Sequence, residues 1–324
     1  MPLLQVLPGL ARAVMAGALV LSQAVAMAAF PERPIRWIID VPAGTTSDLV
    51  ARLVGQRISE NLGVPVIVES KPGATGAIAY AAAAAAPPDG YTIVMITTTL
   101  TQNAAMKPDQ RATLAALVPI APIILTPGVL VMRSETAPKD FATFTELWRQ
   151  KKDGMTYASV GVASSAHLSG EYLSSALKLP GLHVPYTGTA PAFNDLIAGR
   201  VDFMFANVPA ATPHLRSGRF KALAVSSAQR AATLPEVPTL AELGLPKLAF
   251  SGWFGVAAGA KVPRDLVNLL NQEITKAVSA PDIRARLLEL GGDPQTANAE
   301  QFSQFVAADL QNWIKVIDLI GVKQ

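Results

Sequence analysis

Short apolar runs alternate with stretches whose apolar residues recur three and four apart, and clusters of Gly, Pro, Ser and Thr separate them. The first run, Ile35-Arg36-Trp37-Ile38-Ile39, breaks at Pro42-Ala43-Gly44 and is followed by Leu49, Val50, Leu53, Val54, Ile58 and Leu62. An apolar run that gives way to a 3.6-residue period predicts a strand, a turn and a helix, and Gly63 ends that helix. Val64 to Glu69 predicts a second strand, and Lys71-Pro72-Gly73-Ala74-Thr75-Gly76 a second glycine-rich turn. The alanine run from Ala77 to Ala86 predicts a close-packing helix that Pro87-Pro88-Asp89-Gly90 stops. Tyr91 to Ile96 predicts a third strand, ending in the hydroxyl cluster Thr97-Thr98-Thr99. This alternation predicts an α/β fold with a parallel sheet and crossover helices.

From Leu117 to Met132 the pattern changes to a long apolar run punctuated by Pro119, Pro122 and Pro127, too proline-broken for a helix. It predicts an extended crossing into a second α/β domain. That domain repeats the logic: strand Met155 to Ser159, loop Val160 to Ser165, helix His167 to Lys178, strand Leu182 to Pro185 and helix Pro191 to Ala198. Strand Val201 to Ala206, a helix ending near Gly218 and strand Phe220 to Val225 complete it, and Ala249 to Ala257 predicts a second crossing. The tail carries two helical stripes, Leu266, Leu269, Leu270, Ile274 and Val278, then Phe302, Phe305, Val306, Leu310, Trp313, Ile314 and Ile317. Both are expected to be core, the second packing against the first domain. The expected division is a leader at 1–29, a discontinuous first domain at 30–126 and 253–324, and a second domain at 127–252.

Composition changes the picture at the N-terminus. Arg12 is the only charged side chain in the first 29 residues, an apolar run follows from Ala13 to Val25, and Ala26-Met27-Ala28 has the small-x-small pattern of a cleavage site. This predicts a cleaved Sec-type signal peptide and a periplasmic protein, since the apolar run is shorter than the roughly 20 residues that span a bilayer. Without Arg12 the 27 basic residues become 26 against 24 acidic, a net charge of +2. So even a balance predicts no nucleic-acid or anionic-membrane partner. The absence of cysteine excludes disulfides, thiol nucleophiles and thiolate metal sites.

Catalytic and metal motifs are weak. His167, His183 and His214 are scattered with no carboxylate pair at ligand spacing, so no metal is expected, and His167 reads as a helix cap. Ser175-Ala176-Leu177-Lys178 matches S-x-x-K without its partner motifs. There is no G-x-S-x-G elbow, phosphate loop or G-x-G-x-x-G, so no catalytic residue and no cofactor is assigned. What remains is a set of small polar turns at the C-terminal ends of predicted strands, the edge where open α/β sheets bind ligands. They are Gly44 to Asp48, Thr97 to Thr99 with Asn103, Ser159 to His167, and Tyr186 to Ala190. Unpartnered N–H groups at helix N-termini suit a small anion, although the same residue types serve equally as caps. The turn at Gly44 is expected to form half of a carboxylate site.

Together these segments resemble the extracytoplasmic solute receptors of the tripartite tricarboxylate transporter family, the Bug receptors. The resemblance runs from Phe30 nearly to the C-terminus and is carried by Phe30-Pro31-Glu32-Arg33-Pro34-Ile35, Pro42-Ala43-Gly44 with Asp48, and Glu69-Ser70-Lys71-Pro72-Gly73-Ala74. Pro88-Asp89-Gly90-Tyr91-Thr92, His167-Leu168-Ser169-Gly170-Glu171, Val184 to Ala192 and Leu223-Ala224-Val225 continue it. It implies a two-domain periplasmic binding protein fold of type II, a Venus flytrap with two crossing hinge strands. It implies a monomeric receptor, not an enzyme, that captures a small carboxylate for a membrane permease of the tripartite type or for a sensor. Carried over residue by residue, Ala43, Gly44, Thr45, Thr46 and Asp48 form the first-domain site with Thr98 and Thr99. Ser159, Gly161, Ser164, Ser165, Thr187, Gly188 and Ala190 form the second-domain face, with Asn207 behind them.

The chain departs from the family pattern at Asp40, Val41 and Thr45, and has Thr187 and Ala206 where relatives often carry Lys and Asp. With those charges missing, a less polar ligand is expected, such as an aromatic or short aliphatic acid. Asp40 either meets a cationic group or points away. Two rival readings are an exported hydrolase or isomerase acting on a small carboxylate, which turnover would reveal, and a surface adhesion module, which would hold no ligand in the cleft.

Overall fold

A computed structural model describes residues 30–162, 164–245 and 251–320. The leader at 1–29 and the start of the second crossing, Ala249 and Phe250, lie outside the described residues. The first half builds β1 (Ile35–Ile39), α1 (Thr46–Leu62), β2 (Val66–Ser70), α2 (Ala77–Ala84), β3 (Thr92–Thr97), α3 (Thr98–Met106) and α4 (Arg111–Ala115). The long strand β4 (Leu117–Arg133) follows, then α5 (Phe141–Gln150), β5 (Met155–Ser159), α6 (Ser165–Leu177), β6 (Gly181–Pro185), α7 (Thr189–Ile197), β7 (Phe203–Asn207), α8 (Val208–Arg216) and β8 (Phe220–Val225). The chain ends in β9 (Ser251–Gly259), α9 (Arg264–Ser279), α10 (Pro281–Glu289), β10 (Asp293–Pro294) and α11 (Ala299–Ile320).

The strand order is β2-β1-β3-β9-β4-β7-β5-β6, with β8 and β10 also on β4. β1 runs parallel to β2 and β3, and β5 parallel to β6 and β7, as expected where helices make the crossovers. The two sheet halves meet through β4 and β9. Leu117 to Pro127 pair with β9, whereas Gly128 to Met132 pair with β7, so β4 leaves one half at Pro127 and enters the other at the next residue. The register shifts beside Pro119 and Pro122, where a missing N–H leaves a gap in the ladder.

The central strands of each sheet half are buried on both faces, so they are largely apolar and alternate residues serve different layers, while the edge strands β2 and β6 are part-exposed. Trp37 and Ile39 face Val50, Val54 and Ile58 of α1, whereas Ile38 packs with Tyr80, Val94 and Trp253. In the second lobe Leu130 and Met132 join Phe144, Trp148, Tyr157 and Phe203, while Val129 and Val131 join Phe193, Met204 and Phe220. The final helix corrects the packing expected of its stripe. Phe302 and Val306 enter the first lobe's core, but Trp313 and Val316 enter the second's. A helix of 22 residues is about 33 Å long, enough to pass from one lobe to the other.

Candidate functional site

The turn between β1 and α1 is held by its own side chains. Gly44 has φ +84, a left-handed conformation that a side chain would strain. Thr45 caps α1, its Oγ1 accepting the Asp48 N–H at 3.4 Å while donating to the Pro42 carbonyl at 3.0 Å. Asp48 Oδ2 accepts the Gly44 N–H at 2.9 Å and Oδ1 accepts Arg52 Nε at 2.9 Å. The Arg52 hydrogen bond, chiefly, holds the Asp48 carboxyl below its ordinary range. Arg52, one helical turn into α1, is thus a basic side chain near the turn that sequence reading overlooked, and it is already paired. Thr45 and Asp48 therefore shape the turn, while Ala43 and Gly44 are exposed and Thr46 is half-buried at the helix start.

Asp40 points inward. Its Oδ2 accepts the Tyr80 hydroxyl at 2.8 Å beside Gly76, and burial raises its pKa, favouring the neutral acid.

At the end of β3 the hydroxyl cluster divides. Thr97 caps α3 by accepting the Thr99 N–H at 3.2 Å, and buried Thr98 accepts the backbone N–H of Trp253 on β9 at 2.8 Å. Thr99 faces the space between the lobes, and Gln102 Nε2 donates across that space to Ser165 Oγ at 2.8 Å.

In the second lobe Ser159 is fully buried. Its Oγ lies 2.9 Å from the Gly161 carbonyl and accepts the Gly161 N–H at 3.1 Å. The remaining contact is 2.6 Å to His183 Nε2, whose role as donor or acceptor follows the imidazole tautomer. Ser164 caps α6 and also donates to the Gly161 carbonyl, at 2.8 Å. Behind His183 lie His167, with ring centroids 3.9 Å apart, and Glu171, which accepts the Tyr157 hydroxyl. Burial, then the neighbouring His167, lowers the His183 pKa from 6.5 to about 4, with Glu171 opposing; burial likewise lowers that of His167. The unfolded chain takes up these protons first as pH falls, so stability declines between pH 6.5 and about 4. Urea unfolding across that range should show the decline, and His183→Gln, which still offers Ser159 a hydrogen-bond partner, should make it shallower.

These turns converge on a cavity of about 230 Å³ between the lobes and against the hinge. Thr99, Gln102, Ser164, Ser165, Thr189, Asn207 and Ser226 supply its polar lining, and Met204, Phe205, Ala210 and Trp313 its apolar walls. Among the described residues its lining contains no charged side chain. The N-terminal residues of α3, α6 and α7 and the cap of α8 border it, so the positive ends of helix dipoles lie beside it without a cation. A larger cavity of about 580 Å³ lies along Leu125, Pro127 and Phe305, away from these helix starts.

Of the residues expected from sequence, Thr99, Ser164, Ser165 and Asn207 meet at this cavity. Thr98 and Ser159 spend their hydroxyls on the fold, and Gly161 anchors the Ser159–Ser164 loop. Ala43 to Asp48, Thr187, Gly188 and Ala190 lie off the cavity lining, although Thr189 between the last three is on it. Gln102 and Trp313 were missed. Gln102 follows Thr99 by three residues and would emerge from starting α3 at Thr98; Trp313 carries no local signal, because only the fold brings α11 to the cleft.

Two α/β lobes on a pair of hinge strands, with a donor-lined cavity between them, define the hinged solute-receptor class. The chain belongs to the tripartite tricarboxylate transporter family receptors, whose family model matches residues 50–322. It is similar to the UPF0065 protein in the tcbD-tcbE intergenic region of Pseudomonas sp. strain P51, with 35% identity covering 89% of this chain and 87% of that protein. Among solved structures, the periplasmic binding protein BugD matches with a TM-score of 0.74 at 30% identity, covering 91% of this chain and 99% of that one. MatC from Rhodopseudomonas palustris with bound malate matches with a TM-score of 0.72 at 31% identity, covering 89% and 100%. Among the described residues no helix is long and apolar enough to cross a membrane.

Proposed function

We propose that this chain is a periplasmic receptor that captures a small carboxylate between its lobes and presents it to the membrane subunits of a tripartite transporter. The observation that carries this is the convergence of helix starts and neutral donors on one interlobe cavity. Partial positive charge from aligned peptide dipoles suits a carboxylate and costs no desolvated cation. A ligand touching both lobes favours the closed arrangement, which couples capture to a shape the membrane partner recognises. The uncharged lining and the apolar walls favour an acid whose remaining atoms are largely uncharged, and the malate complex of the relative MatC is consistent with carboxylate capture in this fold.

The contact that would best suit a hydrolase reading, a serine beside a histidine, is built into the fold. The serine and histidine in contact, Ser159 and His183, are locked by the Gly161 turn, and the Ser159 hydroxyl has no exposure to a substrate. The receptor is proposed to act as a monomer released by leader cleavage.

The test is a thermal-shift panel of three- to eight-carbon mono- and dicarboxylates, with native mass spectrometry of the purified protein. At least one acid should raise the melting temperature and be recovered unchanged after long incubation. Chemical conversion of the acid, or no response to any member together with no co-purified acid, would overturn the reading.

A further inference from the structure

Gln102 is only 6% exposed, yet it sits at the boundary between the lobes rather than inside either core. Its carboxamide reaches from α3 to Ser165, the first residue of α6, at 2.8 Å. The base from which it reaches is held by hydrogen bonds on three sides. On the same helix Thr98 accepts the N–H of hinge residue Trp253 at 2.8 Å, and Thr101 donates to Asp309 of α11 at 2.6 Å. Asn103, the next residue after Gln102, donates to the Thr75 carbonyl at 3.1 Å and fixes the helix toward the second glycine-rich turn. The helix is therefore tied to the hinge, to α11 and to the first lobe; toward the opposite lobe it extends Ala105, which packs against that lobe's core, and Gln102, which makes the polar tie.

We propose that Gln102 is a positioning residue that sets how the two lobes meet over the ligand cavity. Both groups are neutral, so joining or parting them desolvates no ion, and the bond biases the closure equilibrium by roughly two- to tenfold without locking it. Because Gln102 and Ser165 both line the cavity, the same bond limits its extent and the length of acid that fits beneath it. That last consequence rests on the carboxylate-receptor reading; the tie between the lobes does not.

The chain's lack of cysteine makes the test direct. Lys152→Cys and Lys276→Cys place one spin label on each lobe at exposed positions, and pulsed electron–electron resonance reads the distance in the ligand-free mature chain. Gln102→Leu and Ser165→Ala should each shift population toward an altered interlobe distance by that two- to tenfold factor, and the double variant should go no further than either alone. Ser165→Thr, which keeps the hydroxyl, should retain the parent distribution. Unchanged distances in either single variant, additive shifts in the double, or opening by Ser165→Thr as well would overturn the proposal. No ligand enters the measurement, so a carboxylate panel that fails to bind would sink the receptor reading alone, and unchanged distances would sink this one alone.

Discussion

Gly255→Ala is expected to lower the unfolding free energy by about 3 kcal/mol, at the upper end of what overpacking a core costs. Gly255 lies on hinge strand β9, between Ile96 of β3 and Pro122 of β4. A Cβ there would stand 2.2 Å from Phe302 Cζ and 2.9 Å from the Ala121 carbonyl oxygen. Phe302 cannot swing away into solvent, because it is 1% exposed and packs edge-on against Trp253 at 5.7 Å. The hinge strand must shift or the ring must leave its place, and either disturbs the contact that carries α11 toward the second lobe. Urea denaturation should show the lower midpoint, and Phe302→Leu, which removes the clashing ring atoms, should cost less in the Gly255→Ala background than in the parent. A midpoint within error of the parent would mean that the hinge absorbs the methyl group freely.

Asp48→Ala should weaken the fold at the first strand-to-helix turn. The carboxylate accepts the Gly44 N–H and Arg52 Nε from a buried position at the positive end of α1. Losing these charge-assisted bonds should cost about 1–3 kcal/mol and loosen the turn that starts α1. Arg52→Gln, which leaves the Gly44 contact in place, should cost less. The pH dependence has a definite sign. Because Arg52 lowers the Asp48 pKa, the contribution is complete above the ordinary carboxylate range and is lost as pH falls through the lowered value. The gap in urea midpoint between parent and Asp48→Ala should therefore be largest near neutrality and narrow in acid; a gap independent of pH would show that the ion pair contributes nothing.

Most of the element order was legible in the chain because it rests on local causes. Prolines at 119, 122 and 127 exclude a helix and mark the irregular hinge strand, and the change from apolar run to helical period at Pro42 to Leu49 places the first turn. Legibility fell where a residue type serves two ends. Thr98 and Thr99 are adjacent and chemically identical, yet one caps a hinge amide and the other faces the cavity. Likewise Ser159 and Ser164 belong to one loop, but the first is buried under His183 and the second lines the cleft.

Residue spacing and turn chemistry are properties of neighbours in the chain, and they sufficed for two α/β units, for the crossing strand and for the strand-to-helix turns. The family resemblance, spread over nearly the whole chain, sufficed for the class of receptor. Which donors face the ligand is a matter of helix phase and of how the lobes meet, and neither is encoded locally. The burial of Asp40 against Tyr80, the reach of Gln102 to Ser165, and the arrival of Trp313 from a distant helix depend on contacts between segments far apart in sequence. The first forms when α2 packs on β1, and the other two only once the two sheets have joined through β4 and β9.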